Sequence, residues 1–531
     1  MADEKAVNLA PRSHIAEVGQ EPEWKSNSAS LPPENGYSAR RKPRIELERY
    51  ISLKPMVSFG LTLQASWEAV AVSFQAALLN GGSTSLVYGM LLVWLGCSAL
   101  AASLGEMASV DPAVGAQYRW AARYAPSSMK PAFWGLMQGW LTVVAWMASC
   151  ALTPFVLGTM IQSMIIFNYP NYVPQRWHAT LLMWACTVVP VVCNFYARRT
   201  LVALEMIGGI CHFLFFIITV VVLGILAPRS TNEFVWTTSV SGISGWDNPG
   251  VAFCLGLLVP AFCLAGFDGV LHMSDETKDA PRQAPRSMFL TVAINGVFAF
   301  AFIICLLYCI GDTQALLSSP SLPILLVFYT ATKSVAATNA LMVMILFVCF
   351  VGNFSVFASV SRLTWAFARD RGLPFPEFFS YVHPTLKIPT NALYLVAILC
   401  CLLALINIPS TTAFYAVISL ATFSLYLSYI PPLVFLVIRK LEGKAPPRGP
   451  WNLGRWGLPI NIFAICYAVF MVIWLTFPTT RPVTKDTMNY AAPVWITCFV
   501  LALADYFISG HKRFRLPDDM KHVDGVEPAV T

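Results

Sequence analysis

A carboxylate sits inside the first apolar run of the chain. Leu61-Thr62-Leu63-Gln64-Ala65-Ser66-Trp67-Glu68-Ala69 sets Gln64, Ser66 and Glu68 about halfway along a membrane-crossing length. An ionisable group at that depth is costly unless it faces the interior of a helix bundle, so Glu68 either meets a guest there or is a structural carboxylate bonded to a neighbouring helix. Trp67 beside it offers an indole face. A carboxylate with an aromatic face is the chemistry that holds ammonium and quaternary ammonium groups. Core packing is the competing use of Trp67.

The sixth apolar run has a similar defect. Leu258-Val259-Pro260-Ala261-Phe262-Cys263-Leu264-Ala265-Gly266-Phe267-Asp268 places a proline, a glycine and an acid in its second half, and His272 follows one turn later. Buried carboxylates and histidines change charge near neutral pH, which makes Asp268 a candidate for proton coupling, against a role as a helix cap. Glu68 is a second candidate. His212, in Gly208-Gly209-Ile210-Cys211-His212, is a third, against the reading of a satisfied core histidine. Glu106, in Gly105-Glu106-Met107-Ala108-Ser109, closes the second run and is read as an anchor for the following loop. There is no phosphate-binding glycine loop, no metal-ligand spacing of His and Cys and no nucleophile elbow, so the expectation is no ATP-driven pump, no enzyme, no cofactor and no metal. Asn353-Phe354-Ser355 has the form of a glycosylation acceptor, but it lies within an apolar run.

These residues ride on apolar runs at about 56–80, 85–109, 132–166, 179–196, 201–226 and 251–271, and a second six at about 288–311, 336–361, 390–408, 411–438, 458–477 and 490–508. Of the 531 residues 56% are hydrophobic and 12% charged, against about 25% charged in a soluble domain. The chain is therefore read as an all-α polytopic membrane protein of about twelve transmembrane helices. Its net charge of +7 is topological: roughly 30 of the 35 Lys and Arg fall on one side, which predicts cytoplasmic termini and removes a nucleic-acid reading. The fourteen cysteines lie in apolar segments and imply no disulfide framework.

Breaks in the first and sixth helices, five apart, point to two five-helix inverted repeats with a binding site between them. The expected parts are a disordered cytoplasmic tail at 1–50, repeats at 51–250 and 251–440, two further helices at 441–510 and a cytoplasmic tail at 511–531.

Three stretches carry a family resemblance. Ser361-Arg362-Leu363-Thr364-Trp365-Ala366-Phe367-Ala368-Arg369-Asp370-Arg371-Gly372-Leu373-Pro374 resembles the loop after the eighth helix of amino acid, polyamine and organocation (APC superfamily) permeases. The stretch from Gly266-Phe267-Asp268 through His272 to Thr277-Lys278, then Ala284-Pro285-Arg286, is similar to theirs, as is Gly105-Glu106-Met107-Ala108-Ser109 with Asp111-Pro112, Gly115, Gln117-Tyr118 and Trp120. Gln64-Ala65-Ser66-Trp67-Glu68-Ala69 and Gly209-Ile210-Cys211-His212 resemble the fungal amino acid and choline transporter branch.

The resemblance implies a LeuT-like fold, alternating access and usually proton-coupled uptake at the plasma membrane. It also implies substrate contact at Ala65, Ser66, Trp67, Glu68 and Ala69, a gate at Phe262, and an unwound stretch from Cys263 through Leu264 and Ala265 to Gly266. Relatives carry a glycine-rich first break that holds a carboxylate, and this chain does not. An ionised Glu68 would repel a carboxylate and attract a cation. The expected cargo is a small cationic amine such as choline, with an amino acid or 4-aminobutyrate permease, or an exporter of a basic alkaloid, as alternatives. Trp140, Trp146 and Tyr415 are candidates to complete an aromatic box, against core packing.

Overall fold

Ala65 takes the left-handed backbone conformation (φ 41°, ψ 55°), and this one residue cuts the first apolar run into α1 (Leu53–Gln64) and α2 (Ser66–Ser73). A β-carbon makes that conformation costly, by about 1–3 kcal/mol, so the surroundings must hold it. A short α3 (Gln75–Leu79) completes the run. The computed structural model describes residues 49–515, apart from 197, 409–412 and 486, and without the side chains of 198–200 and 413–416. The expected tails at 1–50 and 511–531 fall largely outside the described residues, as does the side chain of Tyr415.

The first half continues with α4 (Gly82–Val110), α5 (Ala116–Tyr124), α6 (Pro131–Asn168), α7 (Arg176–Tyr196) and α8 (Arg198–Leu226), with α9 (Asn232–Thr237) in the following loop. The sixth run then comes as α10 (Pro249–Gly256), α11 (Leu258–Leu264) and a 3-10 helix (Phe267–Glu276). After it run α12 (Ala280–Tyr308), the short α13 (Thr313–Leu317) and α14 (Pro323–Thr332), and α15 (Val335–Arg369). The chain closes with α16 (Pro376–Phe379), α17 (Thr390–Ala404), α18 (Ala413–Leu441), α19 (Gly457–Trp474) and α20 (Ala491–Asp505). Among the described residues 11 helices are long and apolar enough to cross a membrane. The divided run at 53–79 lies where hydropathy places the first of the twelve crossings. The fold is all-α; among the described residues the β pairing is one isolated parallel bridge between Ile51 and Thr277.

Burial separates the centre from the lipid-facing rim. The most apolar stretch of α6 is 72% buried, that of Ala491–Arg513 only 11%. α1 packs on α8, α12 and α15. Its approach to α15 is so close that a β-carbon on Gly352 would stand 2.3 Å from the Thr62 carbonyl oxygen, which only glycine avoids. The second break falls at Ala265–Gly266, where Gly266 (φ 80°) turns the chain from α11 into the 3-10 helix at no steric cost.

Candidate functional site

The two breaks face a common cavity of about 100 Å³. A water occupies about 10–15 Å³ in this measure, so the cavity admits a guest of several heavy atoms. Thr62, Gln64, Ala65 and Ala69 line it from the first break, Phe262, Ala265 and Gly266 from the second, Trp146, Ser149 and Thr153 from α6, Gly352 from α15, and Thr422 from α18. No ionised side chain stands in the lining among the described residues.

The breaks are tied to each other by side-chain amides. Gln64 Nε2 donates to the carbonyls of Leu264 (2.8 Å) and Ala265 (3.2 Å), freed where α11 ends. Asn295 of α12 donates to Gln64 Oε1 (2.7 Å), and Ser66 Oγ donates to Asn295 Oδ1 (2.8 Å) and to its backbone oxygen (3.0 Å). This network holds Ala65 in its strained turn and occupies two of the carbonyls that a guest ammonium would otherwise meet. α2 begins with no side-chain cap, so its first amides remain as donors beside Ala65.

Of the ten residues expected to touch substrate, Ala65, Ala69, Phe262, Ala265 and Gly266 line the cavity; Ser66, Trp67, Glu68, Cys263 and Leu264 do not. The reason for Trp67 and Glu68 is helical phase: they turn toward α8 and α12. Trp67 donates to the His212 carbonyl (3.3 Å) and packs on Phe216 and Phe302. Glu68 is fully buried with Oε1 2.9 Å from His212 Nδ1, and its Oε2 has no hydrogen-bond partner among the described residues. The sequence brought Glu68 and His212 forward separately; the fold makes them a pair.

Asp268 stands in the first turn of the 3-10 helix. Its carboxylate is fully buried and accepts from Gln117 Nε2 (2.6 Å), Trp146 Nε1 (2.9 Å) and Tyr429 OH (2.6 Å). It thereby fixes Trp146, whose ring is part of the cavity wall. His272 stands edge-on to Trp146, with Nδ1 2.8 Å from Ser359 Oγ. Trp140 points elsewhere, toward Asp505 (3.3 Å) and Phe367. Glu106 meets Lys440 Nζ at 2.5 Å, so α4 is anchored to α18.

One buried acid escaped the sequence reading. Glu205 of α8 accepts from Thr62 Oγ1 (2.7 Å) and from Ser355 Oγ, joining α1, α8 and α15, and lines a second cavity of about 30 Å³ with Met56, Phe59 and Arg362. The signal for it was Gly208-Gly209 three and four residues on, marking the same helical face as one of close approach to α1.

The end of the bundle where α1 starts is closed by polar contacts. Tyr50 N donates to Glu276 O and Lys278 N to Ile51 O (both 2.9 Å), and Arg362 pairs with Glu276 at 2.7 Å with both side chains buried. Tyr118 OH donates to Asp370 Oδ2 (2.7 Å), and Arg369 pairs with Asp370 and Asp275. Burial and the Asp370 carboxylate push the Tyr118 phenol well above its usual range, so it stays a donor. Among the described residues no group of three His, Cys, Asp or Glu is placed to hold a metal ion.

A cavity lined by both interrupted helices is the arrangement of a carrier. The profile of the amino acid permease family matches residues 55–500. A Macrophomina phaseolina protein provisionally named an amino acid/polyamine transporter is 32% identical over 443 residues, 82% of this chain and 97% of the relative. The choline transporter of Saccharomyces cerevisiae is 30% identical over 480 residues, 90% of this chain and 84% of the relative. Amino-acid permease 2 of Neurospora crassa is 27% identical over 468 residues, 87% and 84% of the two chains.

Proposed function

The chain belongs to the amino acid permease family and is a multi-pass membrane transporter, and we propose that its cargo is a small cationic amine of the choline type, moved by alternating access with a proton as co-ion. The observation that carries this reading is the cavity wall: aromatic rings of Trp146 and Phe262 and small hydroxyls at Ser149, Thr153 and Thr422, with no ionised side chain among the described residues. A trimethylammonium group is held by ring faces and carbonyl dipoles without a fixed anion. The repeats at 51–250 and 251–440 are the bodies that move about the site. The face where α1 starts is cytoplasmic in this reading, and the membrane is the plasma membrane.

One observation favours a second cargo. The uncapped start of α2 lies beside Ala65 in the same wall, and such amides suit the carboxylate of an amino acid or of 4-aminobutyrate. The full chain, purified and placed in liposomes with an inward proton gradient, should accumulate labelled choline. Unlabelled choline should compete, and 4-aminobutyrate and α-amino acids should not. Competition by the carboxylated solutes alone assigns the second cargo. Among Glu68→Gln, Asp268→Asn and His212→Gln, the variant whose uptake no longer depends on the gradient marks the coupling group.

A further inference from the structure

We propose that His212 sets the charge preference of the cavity by holding Glu68 in a pair of zero net charge. The proposal rests on reading the cavity as the solute site. Glu68 stands in the first turn of α2, between Ala65 and Ala69, both of which line the cavity. An isolated anion there would act on any guest across one layer of backbone. Its Oε1 lies 2.9 Å from His212 Nδ1, and both side chains are fully buried. The surroundings of the pair are apolar or weakly polar: Trp67 packs with Phe216 and Phe302 and the ring of Phe298 lies against His212, while the thiols of Cys263 from α11 and Cys349 from α15 are within electrostatic reach of Glu68. No Lys or Arg pairs with Glu68 among the described residues.

Such surroundings oppose a net charge strongly. One proton shared by carboxyl and imidazole satisfies them wherever it resides, because imidazolium with carboxylate and imidazole with carboxylic acid both sum to zero. Without the imidazole, Glu68 has no partner with which to share a proton, and a charge on it behind the cavity wall is unbalanced. His212 is thus a specificity-determining residue that never touches the guest.

Choline and glycine betaine separate this from a packing role. They share a trimethylammonium head, differ in a hydroxyl against a carboxylate, and keep their charges from about pH 5 to 8. In equilibrium competition on the purified full chain, the ratio of choline to betaine affinity should be flat with pH in the native protein. In His212→Gln it should climb toward choline by about tenfold as pH rises, and it should be flat again in Glu68→Gln/His212→Gln. A ratio in a folded His212→Gln protein that is as flat as the native one overturns the proposal. His212→Asn serves where the glutamine does not fold.

A ligand-free measurement stands beside it: the infrared carboxyl band assigned to Glu68 by its loss in Glu68→Gln. The band should not titrate over this range in the native protein and should titrate in the His212 variants; a native titration overturns the proposal. Neither solute binding, together with a non-titrating native band, leaves the proposal standing and sinks the choline-type cargo.

Discussion

Glu68 and Asp268 are both fully buried acids on interrupted helices, and the bundle satisfies them in opposite ways. Asp268 is gripped by three neutral donors from α5, α6 and α18, so its charge is spread over fixed dipoles and its position is over-determined. Glu68 has one ionisable neighbour and an oxygen left over. A cage of neutral donors fixes geometry, whereas a second titrating group fixes net charge and leaves the geometry lightly held. The same residue class is therefore held by fixed dipoles in one half of the molecule and beside an ionisable partner in the other.

The contrast breaks most easily at Asp268. Asparagine there offers one acceptor oxygen to three donors and presents an amide donor to the rest, so Asp268→Asn should lower stability by about 2–4 kcal/mol, read as a fall in melting temperature in detergent. Glu68→Gln should cost about 1 kcal/mol in the same assay, and equal losses at the two sites would erase the distinction drawn here. Next in size, Trp146→Phe keeps the ring in the cavity but cuts its tie to Asp268. Choline affinity should fall by about three- to tenfold, measured by competition, because a displaced ring loses part of its cation contact. An effect of similar size belongs to Gly266→Ala: with φ at 80°, a β-carbon there should cost about 1 kcal/mol in thermal stability.

Much of this arrangement is legible in the sequence. Hydropathy locates the crossings, and polar residues inside apolar runs mark both interruptions, because an unpaired polar group in lipid is too costly to be incidental. The partners are what stay hidden. His212 reaches Glu68 across 144 residues and Gln117 reaches Asp268 across 151, distances over which local pattern carries no information. Rotational phase is hidden too: Gln64 and Glu68, one turn apart, differ in that the break at Ala65 sends the first into the cavity wall and the second behind it. Glu205 drew no reading from the sequence, because its burial follows from the packing of Gly208 and Gly209 on α1 and not from local pattern.

The short backbone stitch between Ile51 and Thr277 has a mechanical consequence. It welds the beginning of the first crossing to the end of the sixth, with Arg362 and Glu276 as a rivet beside it. The two interrupted helices are thereby tied together at that end. Separating them there requires main-chain hydrogen bonds and a buried ion pair to be given up together.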